Sequence, residues 1–423
     1  MQNLLQFIQE HIDDDLTRLV LKKSQWPDID VVLAVDCIAS RRKLKSKVSI
    51  WAENFNLICP FPLSAEQCSS DETAAYKASL AQKIAQKSGQ DKWKIADLTG
   101  GLGVDSWYFS KLADKVLYNE MQPLLSQSAE HNFKALAADN VVVKNFALAP
   151  YRRIDEIPES QGRTVSQILG DFHPDIIFLD PARRGQGGRK VFLLEDCTPD
   201  VLGLMDELWE CTENILLKLS PMADITMLVD RLGVCVREVH IVSVGGECKE
   251  LLLWLDKNKS SDGYELHIYE SGAKFVCCDS DEKNARPIFA TKDILSGPMN
   301  LYFLFEPGKS VMKAGLFNYM SEHFQIMSLG RSTHYYLVPV DISEDLKNEL
   351  SGLGKIMKIR EVQTMNKSTL KMLSARYPHC EVTARNLPLS SDELRKKMKV
   401  SSGNDAHLYA LKTDALANLI FVC

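Results

Sequence analysis

Two acidic residues flank a glycine-rich turn near the middle of the first half of the sequence. Asp97 ends an apolar run, the turn contains Gly100, Gly101 and Gly103, and Glu120 ends the next apolar run. A phosphate-binding P-loop would need Lys and then Ser or Thr after its last glycine, whereas Val and Asp follow here. A dinucleotide-binding turn would need the spacing G-x-G-x-x-G, which is also absent. The segment therefore predicts a nucleotide-like ligand that is held in a different way.

The positions of the two acids indicate the chemistry of that ligand. A carboxylate at Asp97, at the end of the first predicted strand, disfavours a pyrophosphate and favours a cationic group. A carboxylate at Glu120, at the end of the second strand, can accept hydrogen bonds from ribose hydroxyls. S-adenosylmethionine combines an adenosine with a cationic sulfonium and amino group and carries no phosphate. We therefore expect the turn to hold its methionine half and Glu120 its ribose.

The elements that must position these residues alternate between short apolar strands and helix-length segments. The first five strands are separated by helical stretches, which predicts an α/β fold with a doubly wound parallel sheet. The last two strands are joined only by G-G-E-C, which predicts an antiparallel hairpin. The predicted strands are 93–98, 115–120, 141–145, 175–180, 214–219, 236–244 and 249–256.

Residues 60–256 resemble the class I S-adenosylmethionine-dependent methyltransferases, which have a Rossmann-like sheet of five parallel strands and an antiparallel hairpin. D-L-T-G-G-L-G matches their first motif and Glu120 their second. Their third motif usually supplies an acid, whereas Asn145 and Phe146 stand here. The resemblance implies no metal, and it implies cofactor contacts from Asp97, Thr99, Gly100, Gly101, Gly103, Asp105, Glu120, Met121, Asn145, Phe146 and Asp180.

The segment F-L-D-P-A-R-R at 178–184 resembles the D/N-P-P-Y/F/W motif of methyltransferases that act on nucleobase amino groups. In those enzymes the acid or amide and the proline carbonyl bind the amino group, and the ring stacks on the base. Asp180 and Pro181 keep the acceptor pair, whereas Ala182 and Arg183 replace the second proline and the ring. We expect the guanidinium of Arg183 to stack on the base or to contact a phosphate. The resemblance implies catalytic roles for Asp180, Pro181 and Arg183.

Two alternatives to that interpretation stay open. The related D-P-P-R motif belongs to uracil-C5 RNA methyltransferases, which need a cysteine nucleophile. Cys197 and Cys248 are candidates, although neither has the flanking residues of that family. The segment could also be a plain turn at a strand end. The eleven cysteines form no C-x-x-C pair, which disfavours a zinc site and predicts reduced, buried thiols.

Polar and basic residues near the predicted reaction centre are candidates for substrate binding. The loop 183–190 is glycine-rich and basic, 218–221 ends the fifth strand, and 63–77 precedes the first. Helix capping and solvated surface charge are the structural alternatives. The candidates are Gln67, Ser69, Ser70, Thr73, Arg184, Lys218 and Ser220.

The rest of the chain points to additional domains and to a polyanionic partner. The 423 residues predict two or three domains. The net charge is −6, yet residues 351–400 hold eleven basic and four acidic residues, a local charge of about +7. A solvated helical surface would explain that charge equally well. The N-terminus shows no signal peptide and no apolar run reaches the roughly 18 residues of a membrane span, so we expect a cytoplasmic protein.

The order of segments resembles a bacterial group of class I methyltransferases with ferredoxin-like and THUMP-like domains. The implied domains are a helical cap at 1–80, the methyltransferase domain at 81–256, a ferredoxin-like α+β domain at 257–335 and a basic THUMP-like domain at 336–423. THUMP modules deliver RNA to modification enzymes, so the resemblance implies methylation of a nucleobase amino group in tRNA or rRNA.

Two other functions remain possible at this stage. Because Arg183 replaces the aromatic residue, the protein could bind the cofactor and RNA as an assembly factor without turnover. If the basic C-terminal region is incidental, the protein could instead methylate a small molecule or a protein.

Overall fold

The computed structural model describes residues 2–150, 162–183, 194, 197–416 and 418–423, and the chain forms two compact units. The first unit comprises Met1–Val239 and Glu250–Asp262, and the second comprises His240–Lys249 and Gly263–Cys423. Among the described residues, no helix combines the length and the apolarity needed to cross a membrane.

Six helices form the N-terminal part of the first unit. Asp15, Asp30 and Ser70 each accept a hydrogen bond from the backbone N–H three residues further on, which begins a helix at the next residue. The capping pattern predicted at 64–67 does not begin a helix, because Pro62 already occupies the first helical turn there. The helices are α1 Gln2–Glu10, α2 Leu16–Leu21, α3 Val31–Leu44, α4 Ser49–Glu53, α5 Pro62–Gln67 and α6 Asp71–Lys87.

The strands of the first unit confirm the predicted α/β fold class. They are β1 Lys94–Asp97, β2 Lys115–Asn119, β3 Val141–Lys144, β4 Ala147–Leu148, β5 Gly162–Arg163, β6 Ile176–Leu179, β7 Ala182–Arg183, β8 Cys197–Thr198, β9 Asn214–Leu219, β10 Val236–Val244 and β11 Glu247–Asp256. The main sheet contains the order β10-β11-β9-β6-β1-β2-β3. Five neighbouring strands of this sheet, β9, β6, β1, β2 and β3, pair in parallel. Strand β11 pairs antiparallel with β9. The tip of the β10–β11 hairpin falls in the second unit.

Helices between these strands cover the sheet and bury its apolar residues. One buried cluster joins Trp51 of the N-terminal helices to Trp107, Tyr118 and Phe133, so the N-terminal segment packs onto this domain. All four residues of β6 are buried, as expected for a central parallel strand. The remaining helices of the unit are α7 Val104–Ser110, α8 Pro123–Ala135, α9 Val165–Leu169, α10 Val201–Cys211 and α11 Ile225–Leu232.

The second unit is α+β and contains two small sheets. One has the order β14-β16-β17-β15-β18 and the other β19-β22-β21-β20. Its strands are β12 Glu265–Glu270, β13 Ala273–Cys278, β14 Ile288–Phe289, β15 Tyr302–Pro307, β16 Met327–Ser328, β17 Tyr336–Pro339, β18 Gly354–Lys358, β19 Glu361–Thr364, β20 Glu381–Arg385, β21 His407–Leu411 and β22 Leu419–Val422. Its helices are α12 Asp279–Asn284, α13 Lys292–Ser296, α14 Lys309–Ala314, α15 Phe317–His323, α16 Glu344–Gly352, α17 Lys367–Arg376 and α18 Ser391–Met398.

Apolar patterns in this unit predict two helices whose bounds differ from those observed. The single helix expected around 311–323 is two helices, because Gly315 adopts a left-handed conformation with φ 73° and ends the first. The helix expected over 361–373 begins only at Lys367, where Asn366 caps it, and the preceding residues form β19. In both places local capping and sheet pairing override an apolar pattern that is compatible with a longer helix.

Candidate active site

The glycine turn between β1 and α7 is fixed on one side and open on the other. Gly101 and Gly103 have positive φ angles of 53° and 94°, which only glycine adopts readily. A Cβ on Gly100 would lie 2.1 Å from a ring carbon of Tyr118, whose hydroxyl donates to the Gly101 carbonyl at 2.6 Å. Among the described residues, a Cβ on Gly101 would meet no heavy atom closer than 3.9 Å. The turn therefore packs against β2 and leaves space on its far side for a ligand.

Glu120 lies directly beside this turn. Its Oε2 accepts a hydrogen bond from the Gly101 N–H at 3.0 Å, and its Oε1 accepts one from the Gln122 N–H at 2.8 Å. Burial raises the pKa of the carboxyl, and the backbone donors partly offset that rise. The carboxylate thus occupies the end of β2 next to the open turn, where a ribose would need an acceptor.

Asn119 is a site residue that sequence reasoning missed. Its amide Nδ2 donates to the carbonyls of Leu98 and Phe146 at 3.2 Å and 3.1 Å, and its Oδ1 accepts from the Phe146 N–H at 3.1 Å. Asn145 adds a bond from its Nδ2 to the Glu120 carbonyl at 2.6 Å. The sequence signal that could have identified Asn119 is a polar residue directly after the apolar run V-L-Y. These bonds fix the ends of β1, β2 and β3 relative to one another.

Two apolar side chains lie near these strand ends. Phe146 is half-buried, and the guanidinium carbon of Arg163 lies 5.1 Å from its ring centroid. Met121 is exposed immediately after Glu120. Both were predicted to contact the cofactor, and that contact stays a prediction.

Asp97 is the most deeply buried acid of the site. The residue is only 1% exposed. Its Oδ1 accepts a hydrogen bond from the Thr99 N–H at 3.1 Å, and its Oδ2 accepts one from the Ser106 hydroxyl at 2.6 Å. Burial, with a smaller contribution from the carboxylates of Asp105 and Asp180, raises the pKa of Asp97 to about 8, although the two hydrogen-bond donors oppose the rise. Ser106 was not predicted. Asp97 is therefore largely protonated at neutral pH, unless a cation approaches it.

Asp180 follows β6, which is paired in parallel with β1, so its position is close to that of Asp97. Its backbone N–H donates to the Thr99 hydroxyl at 2.6 Å, and its Oδ2 forms an ion pair with the ammonium of Lys218. The side chain of Asp180 is 37% exposed and that of Lys218 is 13% exposed. Pro181 is buried. One carboxylate oxygen of Asp180 thus has a fixed partner, while the side chain stays accessible.

The backbone after Pro181 continues as a short strand. β7 pairs antiparallel with β8, which places Arg183 opposite Cys197. The side chain of Arg183 and all of Arg184 lie outside the described residues. Cys197 is fully buried and Cys248 belongs to the other unit. A thiol buried in this way is a poor nucleophile, so the geometry does not favour the cysteine-dependent alternative.

A buried group of charges adjoins Lys218. The Lys77 ammonium contacts both oxygens of Glu250 at 2.7 Å and 2.8 Å. It also lies 3.3 Å from Asp105 Oδ1, within ion-pair distance but without hydrogen-bond geometry. The Ser69 hydroxyl donates to the other oxygen of Asp105 at 2.8 Å. Ser69 therefore supports Asp105, and its predicted substrate contact stays a prediction.

Four other predicted substrate residues have the following places. Ser70 and Thr73 form the capping box of α6, Gln67 is exposed at the end of α5, and the Ser220 hydroxyl accepts from the Met222 N–H at 3.2 Å. Capping explains Ser70 and Thr73 fully as structural residues. Substrate binding by these four residues stays a prediction.

Comparisons with known families and structures agree with this architecture. Residues 354–423 match the family described as THUMP domain-like, and residues 303–344 match a ferredoxin-like domain family. No curated protein sequence matches the chain. A crystal structure described as that of a "putative methyltransferase" from Porphyromonas gingivalis W83 has a TM-score of 0.81 and 24% identity, and the match covers 99% of this chain and 96% of that one.

Two further structures are similar to less than half of the chain. A precorrin-6y C5,15-methyltransferase from Geobacter metallireducens GS-15 has 19% identity and a TM-score of 0.29, and it covers 46% of this chain and 92% of its own. An rRNA methylase from Streptococcus thermophilus has 12% identity and a TM-score of 0.28, with 42% and 94% covered. Their low TM-scores carry no inference about substrate. The predicted resemblance is confirmed at the level of fold and domains: the chain has a methyltransferase fold, with ferredoxin-like and THUMP-like domains in its C-terminal region.

Proposed function

We propose that the protein is an S-adenosylmethionine-dependent methyltransferase that modifies an amino group of a nucleobase in RNA. The observation that supports this most directly is the convergence of the open glycine turn, Glu120 and Asp180 at the carboxyl ends of three adjacent parallel strands. In open α/β sheets, ligands bind at this edge.

The residues present fit the cofactor. The open side of Gly101 leaves room for a ligand against the turn, and the Glu120 carboxylate has lone pairs to accept hydrogen bonds from ribose hydroxyls. Asp97 ionises when a cationic group approaches, which suits the methionine end. Phe146 and Met121 supply apolar surface for the adenine. When bound, the cofactor supplies the methyl group.

The chain's own contribution to catalysis is positioning. The Asp180 carboxylate and the Pro181 carbonyl accept hydrogen bonds from the acceptor amino group and so aim its lone pair. Thr99 holds the backbone N–H of Asp180 at 2.6 Å, and this bond links the acceptor site to the turn. Fixing two reactants in line can account for several kcal/mol of a barrier without a strong base.

RNA is the substrate class that the C-terminal region favours. The THUMP domain-like match at 354–423 overlaps the window 351–400, which holds eleven basic residues. A basic module beside a methyltransferase domain suits a polyanionic substrate. Either tRNA or rRNA satisfies this argument.

The test uses full-length protein, S-adenosylmethionine with a radiolabelled methyl group, and total RNA from a strain lacking the gene. We expect label in one RNA class, and at least a 100-fold loss in Asp180→Ala, because the acceptor loses its main partner. Asp206→Ala, at an exposed aspartate on α10, is the matched control. Full transfer by Asp180→Ala would refute the assignment of this residue, and label only in a protein fraction would refute the RNA substrate.

A second candidate function follows from the residue type at position 183. The family's stacking ring is Arg183 here, so we propose as the alternative an RNA-binding factor that binds the cofactor without turnover. It predicts cofactor binding in calorimetry and RNA retention on filters, together with no incorporated label in any fraction.

A further inference from the structure

The charges next to Asp180 exceed what the proposed chemistry requires. Lys218 pairs with Asp180, and Lys77 pairs with Glu250 through both carboxylate oxygens. Lys218 on β9 lies opposite Leu252 on β11, so Glu250, two residues before Leu252, is on the same face of the sheet as Lys218. The carboxylates of Glu250 and Asp105 also act electrostatically on the Lys218 ammonium. We call the series Asp180, Lys218, Glu250 and Lys77 the ion chain. Its members alternate in sign, and they come from the loop after β6, from β9, from β11 and from α6.

Stability alone does not account for the ion chain. The Lys77 side chain is 0% exposed and that of Glu250 is 4% exposed, so both lose their hydration. An apolar pair of similar size is often as stabilising as such a buried ion pair, or more so. In some proteins buried ionic groups fix a conformation rather than add stability, and this is our hypothesis for the ion chain. The exposed end of the ion chain is Asp180, which is the proposed acceptor group.

The geometry around Asp180 shows what the ion chain fixes. The Thr99 hydroxyl accepts from the backbone N–H of Asp180 at 2.6 Å, while Lys218 holds its Oδ2. Within the described part of the chain, the other oxygen, Oδ1, forms no hydrogen bond and is available to a ligand. Burial by itself lowers the pKa of Lys218, but the carboxylates of Asp180, Glu250 and Asp105 outweigh this effect and raise it. Lys218 therefore keeps its proton.

We propose that the ion chain positions the Asp180 carboxylate for the methyl acceptor, with Lys218, Glu250 and Lys77 as positioning residues. This inference rests on the proposed function. Lys218 was predicted to bind substrate directly, and here its ammonium is engaged by Asp180 instead. The charged or titratable groups that face Lys218 are Asp180, Glu250, Asp105 and the thiol of Cys68.

A first experiment tests the ion chain without any substrate. Full-length protein is acetylated with a limiting amount of acetic anhydride, and the labelling rate of each lysine is followed by mass spectrometry. We expect Lys218 to react at least 10-fold more slowly than Lys134, whose side chain is 72% exposed. Glu250→Gln should accelerate labelling of Lys218 several-fold, because the carboxylate that favours its charged form is gone. Equal rates in wild type and variant would refute the ion chain.

A second experiment tests positioning through the pH dependence of methyl transfer to total RNA. Lys218 must stay protonated, so activity is lost as pH rises through its pKa. The pKa of Lys218 in the wild type lies above its ordinary value of 10.5, so wild-type activity should show no alkaline loss up to pH 10. Glu250→Gln lowers that pKa, and we expect its activity to begin to fall at a lower pH than that of the wild type, with kcat reduced and the KM for the cofactor unchanged. Lys218→Arg should retain transfer without an alkaline limb, whereas Lys218→Met should lose at least 10-fold. Lys134→Arg is the matched control.

The outcomes separate the possible failures. Glu250→Gln leaves the Lys77 ammonium buried without its partner, so the double variant Lys77→Gln/Glu250→Gln, which removes both charges, is measured beside it. Activity that depends on pH in both variants in the same way as in the wild type would refute positioning. Absence of label with the wild-type protein would refute the proposed function, and the acetylation rates would still show whether the ion chain exists.

Discussion

The substitution Asp97→Asn should stabilise the protein while weakening its proposed function. Asp97 is buried and hydrogen-bonded only to neutral donors, the Thr99 N–H and the Ser106 hydroxyl. An asparagine has nearly the same shape and can bond to the same two groups. It carries no charge at any pH, so it removes only the tendency of the buried carboxyl to ionise.

The sign and size of the effect follow from the two pKa values. Burial raises the pKa of Asp97 in the folded protein to about 8 from its ordinary value of 3.8. The unfolded chain loses this proton near pH 4 and the folded protein near pH 8, so stability declines as pH rises between these values. At pH 7 the accumulated loss in the free energy of unfolding is about 4 kcal/mol at most. We expect Asp97→Asn to recover about 2–4 kcal/mol of it.

Urea unfolding of wild type and variant at pH 7.5 and at pH 4.5 measures this gain. The variant should have the higher midpoint at pH 7.5, and the difference should shrink towards pH 4.5. Asp114→Asn, at an exposed aspartate, should change neither midpoint. A variant that is less stable than wild type at pH 7.5, or a gain that does not depend on pH, would refute the reasoning.

The same variant has a second readout of opposite sign. If Asp97 ionises in response to the cationic end of the cofactor, Asp97→Asn should bind S-adenosylmethionine at least 10-fold more weakly in calorimetry. In the wild type, affinity should fall as pH drops below about 8, because a proton must then leave Asp97 on binding. A stabilised variant that keeps full affinity would show that the acid serves another purpose.

Three further variants test other parts of the site. Gly100→Ala places a Cβ 2.1 Å from the Tyr118 ring and should lower the free energy of unfolding by about 3 kcal/mol, and an unchanged urea midpoint would contradict the packing described here. Glu120→Gln should keep the fold and weaken cofactor binding about 10- to 100-fold in calorimetry, because a charged acceptor for the ribose is lost; equal affinity would exclude Glu120 from the ribose site. The double variant Lys396→Glu/Lys397→Glu, on the exposed face of α18, should weaken RNA binding and reduce its salt dependence. In filter-binding measurements the slope of log K against log salt concentration should be smaller by about 2. An unchanged slope would place the RNA elsewhere.

The parallel sheet and its turn could be predicted because their signals are local. Each parallel strand is a short apolar run between helix-length segments, and each observed bound differs from the predicted one by at most one residue. The glycine turn needs residues that tolerate positive φ, and Gly101 and Gly103 have it. The position of Glu120 beside the turn follows once β1 and β2 are parallel neighbours.

The ion chain could not be predicted, because its contacts are far apart in sequence. Lys77 and Glu250 are separated by 173 residues, and each alone resembles an ordinary charged residue within an amphipathic helix or a strand. Their burial depends on how α6 packs against β11, which no local pattern specifies. Asn119 was missed for a related reason: its three backbone partners lie on neighbouring strand ends.

The buried carboxylates of the first unit differ in whether a cation pairs with them. Glu250 pairs with a lysine, Glu238 with two lysines and Asp256 with an arginine. Within the part of the chain that the structure describes, Asp97 and Glu120 are held by neutral donors alone. A buried carboxylate without a cation is costly, and this cost recurs at both acids that flank the glycine turn. Asp97 therefore lacks a positive charge and Glu120 has lone pairs to spare for hydroxyl donors, and a ligand with a cationic end and a ribose would supply both.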